Sequence, residues 1–390
     1  MQSESSFQSQ LDYTEAVAGL LHYQFAVLNL VWKAHRHGDD ETGGLRSWMN
    51  SIHRSTSAWN WDKAKIKCFR DCHAFLNHLL DAHILVAIGK EAGATTWNEL
   101  KEVLSGEYKW RKAISTIGKK FGDPLAVYKL RADDGERDLV YENAILFLQH
   151  GLLYRRFSRA LKTGDSGVVM HCLKYFTLWF LNDDRRTSCP NYRQESLHLM
   201  ACLTHIWSET LRQHWLDNCL VNLSGSKTGF MPDDQLCEYV VRETKDHINH
   251  NTRTSDDHFT REVKARQVII FKEARENTHE VTGAIRHYQH SSTVSTTVDV
   301  RTMANQLFKY QVFTQQPGRG TYDISDKDAI TESVDLLGLG AEVLARGQVL
   351  ADYKIKMNGQ VSDEKEDSSE EEDEDDEVLD TSIIQEEQLM

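Results

Sequence analysis

Proline is the first thing this chain lacks, with only 4 among its 390 residues. Proline interrupts helix interiors and central strands alike, so its scarcity permits long uninterrupted elements. The chain also lacks an apolar run of the roughly 18 residues that a membrane-spanning helix needs. Its polar N-terminus contains no apolar signal-peptide core. These absences predict a soluble protein of long elements, without a membrane partner.

Disulfides and recognisable catalytic motifs are missing as well. The seven cysteines are odd in number, which suits free thiols in a reducing compartment and predicts an intracellular protein, with the nucleus favoured over the cytoplasm. No GxSxG elbow or papain-type cysteine is present. The run from Ser224 to Gly229 lacks both the spacing and the preceding strand of a phosphate loop. No cofactor is therefore expected.

The net charge of −14 belongs to the C-terminus rather than to the whole chain. Residues 362–390 contain 15 acidic residues and one basic residue, Lys365. Removing them from the totals of 59 and 45 leaves 44 of each sign, so the remaining body is formally neutral. Nucleic-acid binding stays open but lacks support from charge, because it needs clustered Lys and Arg. Two basic groups at helical spacing, residues 109–120 and 155–162, are interpreted as solvated helix faces.

The acidic segment from Ser362 to Met390 repels itself and cannot bury apolar area, so we expect it to be disordered. Ser368 and Ser369 each precede a glutamate by three residues, a pattern that acidophilic kinases phosphorylate. The apolar pairs Val378–Leu379 and Ile383–Ile384 are flanked by acids, as in segments that add a strand to a SUMO-like partner. The alternative is a solvated tail with incidental apolar residues.

Apolar residues recur every three or four positions along most of the chain, which predicts helices. The ranges with this period are about 12–36, 62–88, 95–104, 139–161, 168–180, 190–220, 232–247, 260–285 and 326–350. Gly164 is expected to end one helix, and Asp165 or Ser166 to cap the next. The β-branched alternation over residues 291–300 predicts a lone strand or an extended loop. The expected fold is therefore mainly α, a multi-helix globular body with at most a small β element.

Three regions follow from these patterns: a flexible N-terminus over residues 1–11, a helical body over 12–351, and a linker with the acidic tail over 352–390. The body has room for a sub-boundary near residues 122–135, where polar residues and glycine interrupt the helical pattern.

Cys68 and Cys72 belong to the densest group of candidate metal ligands. They lie one helical turn apart, so both could face one ion. His73 and His78 lie well around the helix, and no CxxC knuckle accompanies them. Buried cysteines with surface histidines are the alternative interpretation.

Other candidate ligands are polar residues near helix ends and acids scattered along the chain. His35 and His37 precede acids at 39–41, and His247 and His250 precede acids at 256–258. Either group could gather a divalent cation or could be an ordinary helix end. A two-metal nuclease would need several acids to converge. The acids of suitable type are Glu142, Asp165, Asp183, Asp184, Asp233, Asp234 and Glu238.

Several short motifs between residues 142 and 225 together resemble a large fungal family. They are Asn143–Leu148, Leu152–Tyr154, Ala160–Lys162, Gly164–Gly167, Leu173–Lys174, Trp207 with Leu211–Arg212, and Leu220–Gly225. The family carries domain of unknown function 6589, and its members are associated with transposons. The resemblance covers roughly residues 20–319, and the chain corresponds to the C-terminal portion of longer members. Because the family has no established activity, the resemblance implies a lineage rather than a reaction.

The chain departs from the family pattern at positions where members carry acids or histidine. His150 stands where Asp is frequent, and Arg156 where Glu is frequent. Asp234 and Glu238 match the pattern, but the His and Asn that follow them in members are absent here. If those residues form a metal site in the family, this copy is incomplete, because an arginine repels a cation.

Three hypotheses remain open at this point. The first is an uncharacterised, transposon-derived helical protein, a non-enzymatic interaction module with an acidic regulatory tail. The second is a truncated or degenerate metal-dependent nuclease or transposase, in which Asp234 and Glu238 are the retained acids. The third is a binder of basic proteins such as histones, acting through the tail.

Overall fold

The computed structural model describes residues 17–38, 41–61, 63–132, 137–249, 296–323, 325 and 327–357. The α-helices in these ranges are α1 Leu20–His35, α2 Leu45–Ser51, α3 Phe69–Glu91, α4 Trp97–Ser105, α5 Glu107–Phe121, α6 Ala126–Arg131, α7 Leu139–Thr163, α8 Ser166–Leu181, α9 Pro190–Ala201, α10 Glu209–Asn218, α11 Asp233–Asn249, α12 Thr296–Lys309, α13 Leu336–Ala345 and α14 Gln348–Met357. Two antiparallel pairs join β1 Trp59–Asn60 to β2 Lys65–Ile66, and β3 Leu220–Val221 to β4 Met231–Pro232. The fold class is thus mainly α with a small β element, as predicted.

One apolar core runs through the helical body. Helix α1 lies inside it and packs against α7 and α3, which explains why α1 is apolar on nearly every side. Trp32 of α1 stacks on Trp59 of β1 with the ring centroids 5.0 Å apart, so the first hairpin is attached to the central helix. Phe121 and Val140, on either side of the expected sub-boundary, belong to this same core. The sub-boundary itself stays a prediction.

Helix ends follow the predicted capping chemistry. Gly164 adopts φ 72°, the left-handed conformation that favours glycine, and ends α7. Asp165 then accepts a hydrogen bond from the Val168 N–H and begins α8. Thr96 caps α4 in the same way by accepting from the Glu99 N–H. These local contacts explain why α7, α8 and α4 begin and end close to the predicted positions.

Two predicted N-termini are wrong by several residues. Helix α1 begins at Leu20, since residues 17–19 are not helical, and residues 12–16 lie outside the described ranges. Helix α3 begins at Phe69 rather than near residue 62, because the β1–β2 hairpin occupies the chain up to Ile66. Helix α11 begins at Asp233, one residue after its predicted start, since Pro232 ends β4.

Three longer predictions are also wrong. Thr296 to Val300 is helical in α12, whose residues Val300, Met303, Ala304 and Leu307 form a buried face at helical period. Burial of that face outweighs the β propensity of the preceding threonines and valines. The segment after Pro190 is divided by a π-helical turn at Cys202–Ile206, and the last predicted helix is two helices, α13 and α14.

Helix α3 is long and apolar enough to cross a membrane by length and composition, and 61% of its most apolar window is buried within the fold. It contacts α5, α7 and α12. Its apolar composition is therefore accounted for by a central position in the core. The predictions for residues 1–11, 250–295 and 358–390 lie outside the described residues.

Candidate functional site

The acids predicted on α11 lie against the N-terminus of α1. Asp234 accepts hydrogen bonds from the backbone N–H of Leu21, at 2.9 and 3.0 Å to its two oxygens, and from that of His22 at 3.3 Å. Gly19, the residue that precedes α1, has no side chain to supply such a cap. The carboxylate of Asp234 therefore accepts hydrogen bonds from amide donors at a helix end. Its negative charge also interacts favourably with the positive end of the helix dipole.

His22 brings an imidazole between the two predicted acids. Its Nδ1 lies 3.1 Å from Asp234 Oδ2, and its Nε2 lies 3.9 Å from Glu238 Oε1. The hydrogen bond to Asp234 raises the pKa of His22 against the opposing effect of burial, and the charges of Asp234, Glu238 and Glu195 add to the rise. The two carboxylates thus favour the protonated form of this imidazole.

The approach of α11 to α1 depends on a glycine. A Cβ at Gly19 would overlap the Asp234 side chain, so any larger residue there would push the carboxylate away from the helix end. Tyr192 of α9 supports the same place by donating a hydrogen bond to the His22 carbonyl oxygen at 3.2 Å. This group, defined as the α1 clasp, consists of Gly19, His22, Asp234 and Glu238.

Three of the remaining candidate acids, Glu142, Asp183 and Asp184, have structural partners elsewhere in the fold. Buried Glu142 lies 2.7 Å from Arg137 and 3.1 Å from Arg131, which neutralise it. Asp183 pairs with Arg346, and Asp184 pairs with Arg186. Within the described part of the chain, no group of three or more His, Cys, Asp or Glu side chains is placed to hold a metal ion. The catalytic assignment of Asp234 and Glu238 stays a prediction.

The Cys68 and Cys72 pair lies at the start of α3. The Cys72 thiol is buried and donates a weak hydrogen bond to the Ala58 carbonyl oxygen at 3.4 Å. Burial raises the pKa of Cys72, which disfavours the thiolate that metal binding requires. His73 contacts Tyr154 Oη at 2.7 Å, and His78 lies 3.3 Å from Asp299. The metal site is still a prediction, and its neighbouring histidines contact other groups.

A second polar group lies in the interior, where buried histidines of α1, α3 and α7 meet a fourth, half-buried histidine from the loop after α1. We define His35, His37, His83 and His150 as the imidazole cluster. His35 Nε2 lies 2.9 Å from His150 Nδ1, and His35 Nδ1 lies 3.2 Å from Ser333 Oγ. His83 Nδ1 donates to the Leu79 carbonyl oxygen at 2.8 Å. The hydrogen bond between His35 and His150 joins α1 to α7, whereas the bond of His83 stays within α3.

Burial lowers the pKa of every member of the imidazole cluster. The pKa falls to about 4 for His37 and for His83, and to about 3 for His150. For His35 it lies well below its usual range, since desolvation acts together with the nearby imidazoles. The cause is the cost of placing a charge in a poorly hydrated interior. At neutral pH the four rings are therefore uncharged.

A small cleft of about 20 Å³, room for roughly one water molecule, borders the imidazole cluster. Its walls include His35, His37, Trp48, His83 and Tyr322. Gly43 has φ 87°, and a Cβ there would overlap the Tyr322 ring, so the loop after α1 closes over the cleft only with glycine at this position. The sequence pointed to His35 and His37 as a helix end but contained no signal that His83 and His150 would join them. The predicted acids at 39 and 40 lie outside the described residues, as do the side chains from 242 to 258.

Comparison with known proteins identifies one family. A family described as "Family of unknown function (DUF6589)" matches residues 1–290. No curated protein and no solved structure matches the chain.

Proposed function

We propose that this chain, which belongs to the DUF6589 family of unknown function, is a non-enzymatic helical interaction module with an acidic regulatory tail. The gene that encodes it is derived from a transposon, as in the fungal, transposon-associated family that the chain resembles. It works inside the cell, in the nucleus rather than the cytoplasm. Its partner is a basic protein such as a histone, bound through the tail.

The single observation that carries this proposal is the use of Asp234. A nuclease would need this carboxylate free to coordinate a metal ion. Here Asp234 accepts backbone hydrogen bonds at the start of α1 and lies 3.1 Å from the His22 ring. Withdrawing it would leave helix donors without partners, so its position supports a structural role.

The tail supports the choice of partner. It contains 15 of the chain's 59 acidic residues in 29 positions, whereas the body is neutral. A field of one sign attracts a partner of the other sign and raises the association rate. Phosphorylation of Ser368 and Ser369 would deepen this field. The pairs Val378–Leu379 and Ile383–Ile384 would add strand pairing with a SUMO-like partner.

Histone retention by the full chain and by a chain lacking residues 362–390 tests the proposed function. Deletion should abolish salt-sensitive retention, because the entire formal charge excess is removed. The matched control replaces Ile383 and Ile384 with Ala, which keeps the charge and should keep histone retention. Equal retention by the full and the shortened chain would refute the proposed function.

Calorimetric titration with Mg²⁺ and Mn²⁺ tests the nuclease alternative. We expect no binding heat that depends on Asp234. A heat that disappears in both Asp234→Asn and Glu238→Gln, together with metal-dependent cleavage of DNA, would favour the nuclease instead.

A further inference from the structure

We propose that the acidic segment 362–390 docks on the basic surface of helices α5 and α6 of the same chain. The α5–α6 surface is defined by Arg111, Lys112 and Lys119 on one side of α5 and by Tyr128 on α6. The proposal rests on the proposed function, because it names how the tail is regulated. While it is docked, the tail is not accessible to other proteins, and a basic partner binds it by competing with the α5–α6 surface.

Charge singles out this surface. Residues 107–131 contain seven Lys or Arg and two Asp or Glu, although the body as a whole is neutral. Lys120 pairs with Glu91 at 2.9 Å, and Lys129 pairs with Asp123 at 2.6 Å. Lys112 and Lys119 are exposed and have no ion-pair partner among the described residues. Two cations on one face of α5 therefore remain available for an acidic segment.

Helix α5 is also largely open to solvent. Of its side chains from Trp110 onward, only Ala113 and Phe121 are buried. Ile114 is 46% exposed, and Tyr128 on the following helix is 67% exposed. Because Ile114 lies about 160° around the helix from Lys112, the match between this surface and the tail rests on charge, with Tyr128 as the exposed apolar side chain of the next helix.

The tail is long enough to reach this surface from any starting point. Helix α14 ends at Met357, five positions before the acidic run begins. An extended chain spans about 3.5 Å per residue, so the segment up to residue 390 reaches roughly 100 Å. A body of this size has a radius of gyration of about 20 Å. Because the tail is tethered, its effective concentration at the surface is on the order of millimolar.

The second basic group of the sequence is a weaker candidate. Arg155 of α7 already pairs with Asp81 at 2.6 Å and bonds Asn77. Arg156 and Arg159 remain exposed on this helix. They are two exposed cations, like Lys112 and Lys119, but no third exposed cation accompanies them on α7 as Arg111 does on α5. This pair therefore serves as a matched control.

Proteolysis of the intact chain measures docking directly. A glutamate-specific protease cleaves the segment 362–390, and intact mass reports the rate at which the tail is lost. In K112E/K119E we expect cleavage about fivefold faster than in the wild type at low salt. The two lysines no longer attract the acids of the tail, and the glutamates that replace them repel those acids. The variant R156E/R159E changes the net charge by the same amount and should cleave at the wild-type rate. At about 0.5 M salt the difference should vanish through screening.

Each other result overturns the proposal. Equal acceleration by both variants would show attraction by net charge alone, and no acceleration by either would show an undocked tail. Loss of duplex DNA retention in K112E/K119E without faster cleavage would make α5 a nucleic-acid surface. Unfolding midpoints of both variants check that the fold is intact. If cleavage is unchanged while tail deletion still abolishes histone retention, the proposed function stands and only docking fails.

Discussion

The α1 clasp and the imidazole cluster place histidine, the same type of side chain, in opposite electrostatic surroundings. His22 is half-exposed and faces two carboxylates, which raise its pKa. His83 and His150 are buried among neutral groups, and desolvation lowers their pKa. Both groups involve α1, one at its first turn and one at its last. The difference shows that the sign of a pKa shift follows from the partners that the fold supplies, not from the residue type.

The two regions therefore predict opposite pH dependences. The clasp contributes stability that is fully present below pH 6.5 and is lost as pH rises through the raised pKa of His22. The cluster behaves in the reverse way. Its rings are protonated in the unfolded chain below pH 6.5 but stay neutral in the folded chain, so stability falls as pH decreases towards 4.

Acidification should have the largest effect. His83 alone should cost about 3 kcal/mol of unfolding free energy between pH 6.5 and its folded pKa of about 4. Urea unfolding at several pH values measures this loss. Because carboxylates also titrate in this range, the comparison is with His83→Leu, whose stability should fall less steeply. Parallel curves for the variant and the wild type would contradict this prediction.

Removing the cap of α1 should have the next largest effect. Asp234→Ala leaves the Leu21 and His22 N–H groups without their acceptor, which should lower the unfolding free energy by about 1–2 kcal/mol. Asp234→Asn keeps an acceptor and should lose less. In both variants the pKa of His22, followed by NMR, should fall. An unchanged denaturation midpoint in the Ala variant would show that the cap is dispensable.

Gly19→Ala should act through the same contact. The added Cβ displaces the Asp234 carboxylate, so we expect a loss of about 1 kcal/mol that is not additive with Asp234→Ala. A double-mutant cycle by urea unfolding measures this coupling. Additive losses would mean that Gly19 stabilises the chain by another route.

Glu238→Gln should have the smallest effect. Its carboxylate lies 3.9 Å from His22 Nε2 and is partly exposed, so solvent screens the pair and the expected loss is below about 0.5 kcal/mol. The pKa of His22 should fall less than in Asp234→Asn. A larger fall would make Glu238, not Asp234, the main partner.

Local patterns in the sequence predict much of the fold because helix ends depend on neighbouring residues. Gly164 and Asp165 end α7 and begin α8 through contacts within five residues. The error at Thr296–Val300 has the opposite cause, since the helix there depends on burial against α3. Metal ligation by Cys68 and Cys72 and catalysis by Asp234 rest on spacing alone and remain predictions.

By itself, the sequence determined the neutral body, the acidic tail, the mainly α fold and the family, because composition, helical period and motif order are local properties of the chain. Only the tertiary structure decided what Asp234 and the histidines do. Asp234 caps a helix that lies 213 positions away, and His35 meets His150 across 115 positions. No local pattern encodes such distances, since they result from how the helices pack.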